Sequence, residues 1–193
     1  MTLILASGSA IRHQLLASAG VEHRVVPPGI DELAIKQGSK SAADVALELA
    51  RAKASAVSGH HPGDWVIGSD SIVSIDGQRF DKPAGRAQAA EHLRFFSSKV
   101  MTLTSAVALA RGGEAAWAMV DEARLHVRPL SETFIESYLQ REWPEVSYCV
   151  GVFRMEGLGV QLFEAIDGSY FTILGMPLLP LLGALRERGL VAA

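Results

Sequence analysis

The chain has 193 residues, of which 49% are hydrophobic and 20% charged, with a formal net charge of −3. That composition excludes a disordered segment and leaves room for one sizeable core, arranged as one domain over residues 1–193. The mildly acidic balance excludes a general nucleic-acid binder, which carries a basic field, but not a small phosphorylated ligand, which needs only a local cluster of cations.

Residues 2–6 read as a short buried strand, broken by Ser7-Gly8-Ser9. Its opening stretch, MTLILASGSAIR, has no basic leader ahead of a long apolar run, so no secretory signal is expected there. Residues 11–19 follow as a helix, with Leu15 and Leu16 toward a core and Gly20 as the stop. A second short strand is expected over residues 23–26, and Pro27-Pro28-Gly29 then forces a loop that carries Asp31 and Glu32. Ser41 caps a long amphipathic helix reaching about residue 57, with Val45, Leu49 and Ala52 on one side.

The next segment, VIGSDSIVSIDGQRFDKP over residues 66–83, is the most informative in the chain. An apolar strand that stops at Ser69-Asp70 presents a carboxylate at the end of a sheet, where α/β proteins bind their ligands. The chain continues extended, turns at Asp76-Gly77, a strong hairpin signal, and ends at Asp81-Lys82-Pro83. The hairpin is expected to return Lys82 toward Asp70, an acid and a lysine suited to an anionic ligand with a bound metal.

Residues 86–96 are expected as a helix, and residues 101–110 and 116–127 as two long strands joined through Gly112-Gly113. Ser131 starts a helix ending near Arg141. Cys149, the single cysteine, rules out an intrachain disulfide and suits a reducing cytoplasm. Glycines at 151, 157, 159 and 168 cluster in loops around the apolar run 160–166. Residues 168–185, the longest uncharged stretch, contain Pro177 and Pro180 and read as strand, turn and helix start rather than as a membrane span. A last helix covers residues 178–188. Strands alternating with helices early, and a long antiparallel pair later, make this an α/β protein with a mixed, twisted sheet, flanking helices and two lobes around a cleft.

Several residues in this frame suit phosphate chemistry. The turn Ser7-Gly8-Ser9-Ala10-Ile11-Arg12 joins a strand to a helix start, where free backbone N–H groups and the helix dipole favour an anion. Ser7 and Ser9 add hydroxyl donors and Arg12 a bidentate one; the same pattern also fits an ordinary βα turn with a serine N-cap. Glu32 can ligate Mg²⁺, which binds through one or two carboxylates plus substrate phosphates, or can simply be solvated. Lys53 borders the apolar face of its helix, where it either snorkels to water or holds a phosphate. Arg154-Met155-Glu156-Gly157 lies among glycines that permit close backbone approach to a ligand, with Arg154 placed for phosphate and Glu156 for a base edge. No G-x-S-x-G, H-E-x-x-H, C-x-x-C or Walker pattern occurs.

Taken together, these segments resemble the Maf family of nucleoside triphosphate pyrophosphatases nearly end to end. LASGSAIRHQLL resembles the family's L-A-S-x-S-P-R-R-x-x-L-L, IDE its V-D-E loop, and ARAKA its A-x-x-K-A helix. GSDSIVSIDGQRFDKP is similar to the central S-D-x-x-V-x-x-x-G-x-x-x-x-K-P, and GSYFTILGMPLLPLL to the C-terminal G-S-x-x-x-V-x-G-L-P-L. CVGVFRMEGLGVQLFEAIDG looks like the subgroup acting on 7-methyl-GTP, with Glu156 on the specificity position. The departures are Ile11 in the S-P-R-R segment, which is Ser9-Ala10-Ile11-Arg12 here with His13 following it, Ser71 after Asp70, and Arg154 in place of the loop lysine.

The resemblance implies a Maf/ITPase-like fold and hydrolysis of the α–β phosphoanhydride of a nucleoside triphosphate. It implies catalytic roles for Asp70, Glu32, Lys53 and Lys82, with Glu32 and Asp70 holding Mg²⁺ or Mn²⁺. Ser7, Ser9, Arg12 and Arg154 would bind substrate, and Ile11, Ser71 and Glu156 would set base specificity. The expected partner is the nucleotide alone, without nucleic acid or membrane, in the cytoplasm; a homodimer is left open. The alternatives are a phosphatase acting on small phosphate esters and a non-enzymatic nucleotide-binding regulator of cell division.

Overall fold

The strand β1 (Leu3–Ala6) is buried at all four of its residues, as a central parallel strand must be. A computed structural model describes residues 2–38 and 40–192. β1 pairs in parallel with β2 (Arg24–Val25) on one side and with β3 (Trp65–Ile75) on the other. β3 turns at Asp76-Gly77 into the antiparallel β4 (Gln78–Phe80). β5 (Val100–Arg111) and β6 (Glu114–Val127) follow, and β6 pairs antiparallel with β7 (Phe163–Asp167). Among the described residues seven strands run β2-β1-β3-β5-β6-β7, with β4 on β3. Parallel and antiparallel pairs share one sheet, which is the mixed α/β architecture expected.

The helices are α1 (Ala10–Ser18), α2 (Glu32–Lys36), α3 (Ala42–His60), α4 (Arg86–Phe96), α5 (Glu132–Glu142), α6 (Tyr170–Ile173) and α7 (Leu178–Glu187). The chain divides into two compact units. The first holds residues 1–71, 104–121 and 169–193, and the second residues 72–103 and 122–168. The core of the first unit gathers Leu5, Leu16, Ile67, Val107, Leu109, Leu181 and Leu185, each fully buried. In the second, Phe80, His92 and Phe96 form an aromatic cluster, with ring centroids 4.9–5.7 Å apart. On the surface of that unit, Arg86 pairs with Glu136 and Arg94 with Glu132.

Three expectations need correction. β3 does not stop at Ser69-Asp70 but runs on through Ile75, so Asp70 is interior to the strand. The parallel pairing does stop there: Ala6, the last residue of β1, lies opposite Gly68, and Asp70 sits just beyond. Its place is the end of a parallel segment rather than the end of a strand. Second, Asp31 and Glu32 are not in a plain loop. Asp31 is the N-cap of α2, accepting the backbone N–H groups of Leu33 and Ala34, so this adjacent acid has a structural use and Glu32 opens the helix. Third, the stretch after Gly168 holds the short helix α6 (Tyr170–Ile173), not a strand, because the run from Tyr170 folds back on itself through backbone bonds from Ile173 to Ser169 and from Leu174 to Tyr170.

Candidate active site

The buried face of α3 comprises Val45, Ala46, Leu49, Ala50, Lys53, Ala54, Val57 and Ser58. This is the spacing of an amphipathic helix, with one lysine in the middle of the stripe rather than at its border. Ala52, expected inward, is only partly buried. Small residues explain why α3 lies so close to the sheet. A Cβ placed on Gly68 would lie 2.2 Å from the Ala50 carbonyl oxygen and 2.6 Å from the Ala54 nitrogen. Glycine on β3 and alanines four apart on α3 therefore let the two backbones nearly touch.

That approach sets Lys53 beside Asp70. The Lys53 Nζ donates to Asp70 Oδ1 at 2.6 Å and pairs with Glu32 Oε1 at 2.7 Å. The Lys53 and Asp70 side chains are 7% and 10% exposed, whereas Glu32 is 40% exposed and opens the site to water. A buried ammonium and a buried carboxylate are each costly alone; here each is the other's counter-charge. The lysine that Asp70 meets is Lys53. Lys82 belongs to the second unit, exposed, two residues past the end of β4.

Arg12 is held by a hydrogen-bond network in the first unit. Its Nε donates to the Gly175 carbonyl at 2.9 Å, Nη2 to Ser71 Oγ at 3.0 Å, and Nη1 reaches Ser7 Oγ at 3.5 Å. Burial lowers the pKa of this guanidinium and the charges of Asp70 and Glu32 pull it back up; it stays protonated, as arginine does. Ser71 Oγ lies 2.8 Å from Ser105 Oγ, Ser105 donates to the Thr172 carbonyl, and Thr172 Oγ1 donates to Asp121 at 2.5 Å. Ser69 shares its proton between the carbonyls of Ala106 and Gly175. Gly175 has φ +97°, and a Cβ there would lie 3.2 Å from Ser71 Oγ and 3.5 Å from Arg12 Nε. Only glycine both adopts that backbone and leaves space for the guanidinium. Ser69, Ser105, Thr172 and Gly175 were not singled out from the sequence; Ser69, Thr172 and Gly175 lie in the family-like segments around Asp70 and Gly168, and Ser105 in none of them.

Ser7, at the end of β1, is buried and accepts the Ser9 backbone N–H at 3.2 Å. Ser9 occupies the N-cap position of α1 without making a side-chain capping bond. Ile11 is half-buried on the first turn of that helix. His13, two residues on, meets another histidine: its Nδ1 lies 2.8 Å from His23 Nε2, and His23 Nδ1 lies 2.7 Å from the Val21 carbonyl.

In the second unit, Arg154 pairs with the buried Glu142, and Glu156 is exposed on the same loop. Cys149, nearby, is a free thiol whose pKa burial pushes up to about 11, which makes it a poor nucleophile. Among the described residues no cluster of three or more His, Cys, Asp or Glu side chains forms a ready-made metal cage, and no helix is long and apolar enough to cross a membrane.

The sites expected from sequence thus fall into two sets: Ser7, Ser9, Ile11, Arg12, Glu32, Lys53, Asp70 and Ser71 in the first unit, and Lys82, Arg154 and Glu156 in the second. Known proteins similar to this chain span it almost entirely. One is a nucleoside triphosphate pyrophosphatase of Nitrobacter hamburgensis, 47% identical over 192 residues, covering 98% of this chain and 95% of that one. Others are 7-methyl-GTP pyrophosphatases of Rhizobium meliloti, 45% identical with 99% and 98% covered, and of Rhizobium etli, 46% identical with 98% and 97% covered. The family model described as Maf-like protein matches residues 2–188. With a paired acid–lysine–acid site inside the matched span, the chain belongs to the Maf-like protein family.

Proposed function

We propose that this protein is a nucleoside triphosphate pyrophosphatase, cleaving the α–β phosphoanhydride to release the monophosphate and pyrophosphate. The observation that carries the reading is Lys53, buried between Glu32 and Asp70. Two carboxylates brought to one ammonium form a poor surface ion pair but a good phosphoryl-transfer site. Negative charge grows on phosphate oxygens in the transition state, and preorganised cations stabilise it.

Water supplies the oxygen that bonds to the α-phosphorus, and the bridging oxygen leaves with pyrophosphate. Asp70 orients that water and accepts its proton. Arg12 and Lys53 hold triphosphate oxygens in the first unit, with Ser7 and the amides of the Ser7–Ser9 turn adding hydrogen bonds. Lys82 contributes a further charge to the triphosphate. The donor set fits a divalent cation. Mg²⁺ and Mn²⁺ take oxygen ligands, and a carboxylate pair plus substrate phosphates suffices where a full protein cage is missing. Glu32 and Asp70 would hold it, and when bound it would neutralise charge on the phosphates being separated.

Glu156 is assigned to the base. An ionised carboxylate only accepts hydrogen bonds, so it favours guanine, which presents N1–H beside an exocyclic amine. Thymine and uracil present carbonyl oxygens on both sides of one N–H. The names of the rhizobial relatives agree with a 7-methylguanine substrate. A single free cysteine and a free-nucleotide substrate support a cytoplasmic location. The test is a panel of GTP, 7-methyl-GTP, dTTP and UTP with Mg²⁺ or Mn²⁺, with products separated. Pyrophosphate and monophosphate support the reading. Orthophosphate as first product would make it a phosphatase, and binding without turnover a nucleotide-binding regulator.

A further inference from the structure

The segment from Cys149 to Leu162 carries Arg154 and Glu156 but has little regular structure, ending in a single 3-10 turn (Leu158–Leu162). Its order comes from α5. Tyr138 and Glu142 lie four residues apart on that helix, on one face, and both are buried. The Tyr138 hydroxyl donates to the Val152 carbonyl at 2.9 Å. Val152 is fully buried with φ +58°, a conformation a β-branched residue adopts only under constraint. One turn further along, Glu142 Oε2 accepts from Arg154 Nε at 3.2 Å and Nη2 at 3.1 Å, and Oε1 accepts the Leu158 backbone N–H at 3.4 Å.

The glycines on either side of Leu158 belong to the same arrangement. A Cβ on Gly157 would lie 3.1 Å from Glu142 Oε2, and one on Gly159 would lie 2.4 Å from the Arg154 carbonyl oxygen. The loop backbone therefore closes around the ion pair. Arg154 commits two donors to Glu142, and a lysine at this position lacks the fork to do the same. Glu156, two residues on, is left exposed on a loop tied down at either side of it.

From this we infer that Glu142 is a positioning residue for base selection. Acting through Arg154 and the Leu158 amide, it holds the loop in the one conformation that presents Glu156. Arg154 is thereby assigned to the loop rather than to phosphate. The inference rests on the reading of Glu156 as the group that meets the base. A carboxylate discriminates between base edges only if it is held in place, since a mobile one makes its hydrogen bonds at an entropic cost.

The test uses the full-length protein with Glu142→Ala, Glu142→Gln and Arg154→Lys. Two quantities are read: amide exchange across residues 150–160 without nucleotide, and the ratio of kcat/KM for 7-methyl-GTP over UTP. In Glu142→Ala, exchange at Leu158 should quicken and the ratio fall by about tenfold, the scale of one charged hydrogen bond, mainly through KM. Glu142→Gln, which keeps an acceptor but no charge, should fall between. With Glu156→Gln already present, Glu142→Ala should no longer move the ratio. Should Glu142→Ala fail to fold, the other two substitutions decide. Unchanged exchange, or an equal loss on both substrates with the ratio intact, overturns the inference. A wild-type preference that Glu156→Gln does not alter sinks the assignment of Glu156 instead, and the exchange data then decide the anchoring on their own.

Discussion

Lys53 is a charge in the middle of an apolar helical face, tenable only because two carboxylates meet it. Removing it leaves the buried Asp70 without its counter-ion. Breaking a buried pair from one side costs about 3–5 kcal/mol, and Arg12 nearby places Lys53→Ala at the lower end, about 3 kcal/mol. Asp70→Asn is the gentler change, since Lys53 keeps Glu32 and the amide keeps the shape. It should leave the melting temperature close to wild type while turnover falls on the order of 100-fold or more. Lys82→Ala removes an exposed charge and should leave stability unchanged, yet cost roughly 1.5–3 kcal/mol in kcat/KM. Denaturation curves and pyrophosphate release on the three variants check this. Normal turnover in Asp70→Asn would falsify its catalytic role, and unchanged kcat/KM in Lys82→Ala returns that lysine to the solvated surface.

Among the elements, the contact of β3 with α3 is the tightest that positions the site. Gly68→Ala drives a methyl into backbone atoms of Ala50 and Ala54, which cannot rotate away as a side chain would. Overpacking of this kind costs typically about 1–3 kcal/mol, and it pushes Lys53 off Asp70. We expect turnover to drop together with stability, as measured by kcat and by urea midpoint; a variant that loses neither shows that α3 shifts without carrying Lys53 away. On α4, His92 makes a T-shaped ring contact with Phe80, its Nδ1 buried and unpartnered, and burial lowers its pKa below the ordinary 6.5. Above pH 6.5 it is neutral folded or unfolded, and its contribution to stability is whole. Below 6.5 the unfolded chain takes the proton first, so stability is lost as pH falls toward the folded value. His92→Phe should flatten that acid-side loss in melting temperatures between about pH 7 and 5. An equally steep loss in the variant excludes His92 as its source.

At the scale of the whole molecule, the two sets of site residues predict two kinds of kinetic phenotype. Glu32→Gln, in the first unit, should depress kcat/KM for every nucleoside triphosphate by a similar factor, because phosphates are common to all of them. Glu156→Gln, in the second, should reorder the panel toward UTP and dTTP, because glutamine adds an N–H donor that a carboxylate lacks. Specificity constants over the same panel decide between them. A uniform loss in Glu156→Gln, or a reordering in Glu32→Gln, would contradict this division of labour.

Much of the fold was legible because its signals are local. Ser41 and Ser131 cap α3 and α5 through their hydroxyls. Asp76-Gly77 and Gly112-Gly113 turn their hairpins with φ of +52° and +78°, and of +61° and +89°, the values the primed turns require. The family and the candidate acids were also within reach, since the motifs are contiguous and in order. The sequence could not show that Lys53 lies inside its helical stripe, that it meets Asp70, or that β3 continues past its acid. Nor could it show that Arg12 donates to Gly175, 163 residues away, or that Glu142 holds Arg154. A cap or a tight turn is decided by a few neighbouring residues, whereas the partner of a buried charge is decided by whatever the packed chain brings to it. That choice exists only once the chain has folded.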